Sequence, residues 1–156
     1  MNIFEALRLS HDTQRALALK ILETAGGSQE RDSLYREFRH ELAAHAAAEE
    51  RCFYLPLIEH DSTMAQARHG MAEHHEMDEL VEELNQLALD SAAWIPQFEK
   101  LQHKVLHHLE DEEHAIFQLA GKVLADTQKA SLARAYEEEF ARFRLGPMPL
   151  SSAEGD

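Results

Sequence analysis

Histidine and glutamate recur in this 156-residue chain at spacings that suit metal binding. His45 with Glu49, and His108 with Glu112, form two His-x-x-x-Glu pairs. Residues four apart on a helix share one face about one turn from each other, so each pair can offer an imidazole and a carboxylate to one ion or to adjacent ions. His11 and His74 interrupt otherwise apolar stripes in the same way, and Asp78 follows His74 by four residues. Groups of this kind are costly to bury unless something compensates them, and a metal ion would. Four histidines and two bridging carboxylates exceed the needs of one tetrahedral zinc and suit two ions of higher coordination number. Imidazole mixed with carboxylate is the ligand set for non-haem iron or manganese. Asp78 reads either as a further ligand or as a group that orients an imidazole.

Helices must position these residues, and the chain is composed for helices. Ala, Leu, Glu, Gln and Arg dominate, whereas Gly and Pro are few and clustered. The punctuation predicts a first helix from about Ile3 to Ala25, ended by Gly26-Gly27. Ser28, Asp32 or Ser33 is available to cap a second helix that reaches about Ile58, with Pro56 loosening its last turn. Asp61 or Ser62 opens a third helix ending near Leu89. The Asp90-Ser91 turn opens a fourth, with Pro96 in its first turn, that runs to about Ala125. A fifth, Thr127 to about Arg144, carries Tyr136, Phe140 and Phe143 and should pack back on the others. Residues 1–145 then form one domain, and 146–156 are expected to be a disordered tail. The fold class that follows is all-α: an antiparallel up-down-up-down four-helix bundle with an additional C-terminal helix.

The heights of the histidines support that arrangement. Halfway between His11 and His45 is position 28, between His45 and His74 a point just before 60, and between His74 and His108 position 91. Each midpoint falls on an expected turn, so in an antiparallel bundle all four imidazoles lie at one level, roughly 20 Å from the turns. Neighbouring candidates separate by face. His75 shares its face with Arg68, Glu79 and Glu82, and His107 with Lys104, Asp111 and His114, which are solvated faces. Glu50, Glu113 and the remaining histidines are read as taking no part in the site, Met64, Met71 and Met77 as core packing, and Cys52 as a small core thiol.

Bulk properties remove other classes. A net charge of −14 argues against nucleic acid and anionic membranes as partners and favours cations. A lone cysteine excludes an internal disulfide framework, and no apolar run approaches the roughly 20 residues of a membrane span. No secretion signal is evident at the N-terminus, so a cytoplasmic location is the expectation. No nucleophilic triad, phosphate-binding glycine loop or dinucleotide fingerprint occurs.

The order H, HxxxE, H, HxxxE on successive helices resembles the hemerythrin-like HHE cation-binding domains. The stretches H-AAA-EERCFYLPLI and H-LED-EEHAIFQL resemble that family's repeated pattern, and His11-Asp12 and Glu73-His74 are similar to its other motifs. The resemblance spans about residues 3 to 125. It implies a di-iron centre, two non-haem iron ions with oxo or hydroxo and carboxylate bridges. His11, His45, His74 and His108 would be terminal ligands, and Glu49 and Glu112 would be bridges. It departs from the invertebrate oxygen carriers, which have a second histidine at the position of Asp78 and a final aspartate five residues after its histidine, where this chain has Glu112 at four. The implied partner is a small gaseous or peroxidic ligand: dioxygen, nitric oxide or peroxide. The implied activity is binding or sensing such a ligand. The alternatives are a peroxidase-like or ferroxidase-like enzyme, or an iron donor for repair of damaged iron centres.

Overall fold

The computed structural model describes residues 1–146. A reciprocal cap starts the first helix, Ile3–Leu22: the Asn2 side chain accepts from the Glu5 N–H at 3.0 Å, and the Glu5 carboxylate accepts from the Asn2 N–H at 3.1 Å. Of the candidate caps for the second helix, Ser28 is the one used. It accepts from the Arg31 N–H at 3.1 Å and the helix starts at Gln29. The third helix is Asp61–Asn85 and the fourth begins at Trp94, with Pro96 in its first turn. Asp61 thus lies inside the third helix, where its charge favours the N-terminal dipole, and His60 occupies the cap position. The fifth helix, Asp126–Leu145, begins where the Gln128 side chain accepts from the Ala125 N–H at 2.9 Å. No strand occurs among the described residues.

The first helix stops at Leu22 and the third at Asn85, each a few residues short of the sequence expectation. At this end of the bundle Arg31 draws the freed backbone together. Its guanidinium donates to the Thr24 carbonyl at 2.8 Å and the Leu89 carbonyl at 2.7 Å, and lies 4.8 Å from the Trp94 ring centre. Gly27 adopts a φ of 69° while its N–H reaches the Leu89 carbonyl at 3.1 Å, a conformation that other residues rarely adopt.

The second and fourth helices are not uniform, which the sequence reading did not anticipate. The second runs as α-helix over Gln29–Glu49, widens to a π-helical turn at Glu50–Tyr54, and closes with Leu55–Ile58. The fourth does the same: Trp94–Asp111, a π-helical turn at Glu112–Ile116, then Phe117–Val123. The cause lies in the inward residues, which step by four: 45, 49, 53, 57 and 108, 112, 116, 120. Four residues of α-helix overshoot one turn by about 40°, so three such steps would carry the stripe off the core. One wider turn absorbs the excess. Phe53, Tyr54, Leu57, Ile116, Phe117 and Ala120 all end up buried.

Two apolar clusters fill the bundle. One gathers the start of the first helix, the end of the second, the start of the third and the end of the fourth. The other gathers the opposite ends. That alternation is the up-down-up-down topology. The fifth helix packs on the first and second, burying Ala133 and Tyr136. Between the clusters lies a layer of buried polar residues: His11, His45, Glu49, His74, His108 and Glu112. Beyond Gly146, the expected tail lies outside the described residues.

Candidate metal centre

All six of these residues are at most 4% exposed. The Glu49 carboxylate stands 3.4 Å from His45 Nε2 and 3.1 Å from His74 Nε2. Glu112 stands 3.1 Å from His11 Nε2 and 3.5 Å from His108 Nε2. Ligand atoms of His11, His45, Glu49 and Glu112 all lie within 4.8 Å of one another, and so do those of Glu49, His74 and His108. Glu49 therefore belongs to both groups.

The far side of most of these imidazoles is held in place. His11 Nδ1 faces the Glu113 carboxylate at 2.6 Å, and Arg15 grips Glu113 through two hydrogen bonds of 3.1 and 3.0 Å. His108 Nδ1 faces Glu73 at 2.8 Å, which Lys104 contacts at 3.1 Å. His45 Nδ1 meets the Tyr136 hydroxyl at 2.7 Å, and Ser10 Oγ meets the same hydroxyl at 2.5 Å. With Nδ1 carrying the proton, each of these rings presents the Nε2 lone pair to the centre, the orientation a metal requires. Only His74 differs: Glu50 is 3.7 Å from its Nδ1, which has no hydrogen bond.

The inward-facing atoms show whether metal ions fit here. His11 Nε2, His45 Nε2, His74 Nε2, both Glu49 oxygens and Glu112 Oε1 are buried and lack any hydrogen-bond partner in the protein. Buried polar atoms are normally paired, so their convergence on one space makes it a place that metal ions fit. Titration follows the same geometry. Burial pushes His11 down, but the facing Glu112 and Glu113 carboxylates outweigh it and raise the group to about 9. Against the same burial, Glu49 and Glu50 raise His74 to about 10. Burial wins at His45, lowered to about 4, and at His108, also lowered. Burial and the charge of Glu49 push Glu112 up to about 8. The layer thus recruits protons to balance its carboxylates, a place that cations can take.

Tyr54 closes the centre on the side of the π-helical turns, donating a short hydrogen bond to Glu112. Gly70 makes room for that ring, since a Cβ there would stand 2.5 Å from it. The structure does not bring Asp78 into either group. It lines a cavity on the opposite side of the imidazoles, with Gln14 and Met77. Glu113 also departs from the sequence reading, which gave it no part in the site. Half-buried, it supports His11 directly. A third group, His69, Glu73 and Asp111, shares Glu73 with His108 and Lys104 and has its histidine largely exposed.

Fold and site together define a class, a helical bundle whose core can hold metal ions. Residues 2–120 match the model of the hemerythrin HHE cation binding domain, and the chain belongs to that family. A crystal structure of a hemerythrin HHE cation binding domain-containing protein from Mycobacterium kansasii superposes with a TM-score of 0.85 at 21% identity, covering 92% of this chain and 88% of that one. At that identity the likeness concerns the fold. No curated protein matches the chain. Among the described residues no helix is long and apolar enough to cross a membrane.

Proposed function

We propose that the chain is a non-haem di-iron protein that binds or senses a small ligand, such as dioxygen or nitric oxide, at a carboxylate-bridged centre. The observation that carries this is the pair of ligand groups sharing Glu49, with their unpaired buried nitrogens and oxygens pointing at one another. His11 and His45 would hold one ion and His74 and His108 the other, with Glu49, which belongs to both groups, and Glu112 as the carboxylates between them. Asp78 is read as part of the cavity wall rather than as a ligand. Imidazole with carboxylate suits iron, and a low count of protein ligands leaves a coordination position for a small molecule. When bound, the two ions would supply redox electrons and Lewis acidity. The protein supplies orientation through Glu113, Tyr136 and Glu73, and apolar cover through the two clusters.

A redox enzyme acting on peroxide is the second reading, favoured by the Tyr54 hydroxyl on Glu112 and by Gln14 and Asp78 in the adjacent cavity. Turnover of peroxide well beyond the iron content would select it. The first test is metal per chain after production with iron, paired with optical spectra before and after reduction and exposure to air. Two irons per chain with charge-transfer bands that respond to oxidation state is the expected result. One zinc or no metal, unchanged in His45→Ala and Glu112→Ala, would end the proposal.

A further inference from the structure

On the side away from Tyr54, the imidazole layer borders a cavity of about 20 Å³, room for a ligand of two or three atoms. His45, His74 and His108 line it, and most of its remaining wall is apolar. Gln14 is the exception to explain. It lies one turn beyond His11 on the first helix, is 1% exposed, and its amide nitrogen has no hydrogen-bond partner in the protein. A buried amide donor left unpaired is destabilising, and leucine or methionine would fill a helix-interior position of this kind without that penalty. The unused N–H is therefore available to whatever occupies the cavity beside the histidines. Arg39 is the one lining residue that is not buried. Its Nε also lacks a hydrogen-bond partner, while its guanidinium lies 4.9 Å from the Tyr35 ring centre. Asp78 on the same wall is not a free carboxylate.

We infer that Gln14 is the hydrogen-bond donor to the small ligand of this centre, and that it selects hydrogen-bond-accepting, anionic ligands of the azide, superoxide or peroxide type. The inference rests on the di-iron reading above and adds to it the residue that recognises the ligand and the preference that residue imposes. A neutral, weakly accepting ligand gains less from a fixed amide N–H than an anionic one. An anionic ligand gains a charge-assisted hydrogen bond in a site shielded from water.

Azide is the probe, titrated into oxidised, iron-loaded protein and followed by its optical band and its infrared stretch. Gln14→Leu is expected to keep the wild-type iron content, weaken azide roughly tenfold to a hundredfold, and shift the azide stretch. Gln14→Glu, similar in length but presenting an acceptor, should weaken it at least as much. In the metal-free state Gln14→Leu should melt no lower than wild type, because no bond is lost. Azide bound by Gln14→Leu as tightly as by wild type, with an unshifted stretch, overturns the inference and leaves the di-iron reading intact. A lower melting temperature for the metal-free variant also overturns it, by revealing a partner for the amide within the protein. Wild-type iron-loaded protein that binds neither azide nor nitric oxide ends both.

Discussion

The second and fourth helices carry the same device twice: a histidine, a glutamate four residues on, a second glutamate, and a π-helical turn. Their surroundings differ. Glu113 of the fourth helix reaches the first helix and holds His11 Nδ1 at 2.6 Å, whereas Glu50 of the second stays 3.7 Å from His74 Nδ1. His108 is backed by the Glu73 carboxylate, but His45 by the neutral hydroxyl of Tyr136, held by Ser10. Ser10 and Glu73 each stand one residue before a histidine, so a carboxylate in one half is matched by serine plus tyrosine in the other. Likewise Tyr54, nine residues after His45, takes the place that Phe117, nine residues after His108, takes on the fourth helix, and Gly70, four residues before His74, replaces Leu7 before His11. The inward ligands repeat and their supports do not. The two halves of the polar layer thus sit in unequal electrostatic settings, which would give two ions held there different roles.

Removing ligands tests that comparison with the largest effect. Glu49 lies in both groups, so Glu49→Ala should lose both ions, whereas His74→Ala should retain about one through His11, His45, Glu49 and Glu112. Metal per chain after desalting distinguishes them. Equal loss in the two variants would mean the halves load only together, and two ions retained in Glu49→Ala would remove it as a bridge.

The titration shifts set the next effect. His11 and His74 are raised from 6.5 to about 9 and 10, and Glu112 from 4.5 to about 8. A group with a raised folded pKa contributes stability that is fully present below its unfolded pKa and is lost as pH rises through the folded value. Metal-free protein should therefore lose stability between about pH 6.5, the unfolded histidine value, and about pH 10, the folded value of His74. Metal replaces these protons, so the stabilisation it adds should grow over the same window. Thermal melts with and without iron read both slopes. A metal-free melting temperature that rises across the window would contradict the protonated layer.

How much of this the sequence disclosed follows from what one helix can encode. His11, His45, His74, His108, Glu49 and Glu112 were legible because each breaks an apolar stripe, and chain distance to a turn sets height in an antiparallel bundle. Glu113 was not, because it lies about 100° around the helix from Glu112 and reads as solvated. Its partner is on another helix, and no single-helix period records that contact. Tyr136 was legible as a packing residue but not as the support of His45, for the same reason. Asp78 was placed by its spacing from His74, yet the third helix directs it to the cavity wall. The π-helical turns were legible in principle from the repeated steps of four, which a straight α-helix cannot keep facing inward.

The finest test exchanges the two supporting glutamates. Glu113 is drawn down to about 2 by its hydrogen bond with His11, burial opposing, and by Arg15, so it is ionised throughout the range in which the centre would load. Glu113→Gln keeps an acceptor near His11 but removes the charge, which should free Arg15 and loosen the imidazole. Loss of such a support typically costs about tenfold to a hundredfold in metal affinity. Glu50→Gln has no formed hydrogen bond to lose and should leave affinity close to wild type. Competition with a chelator of known affinity measures both. If the two substitutions weaken binding equally, Glu50 closes on His74 once metal is present, and the halves are more alike loaded than empty. If only Glu113→Gln weakens it, the inequality belongs to the loaded centre as well. The ion at His11 is then the firmly held one, and the ion at His74 is the more exchangeable.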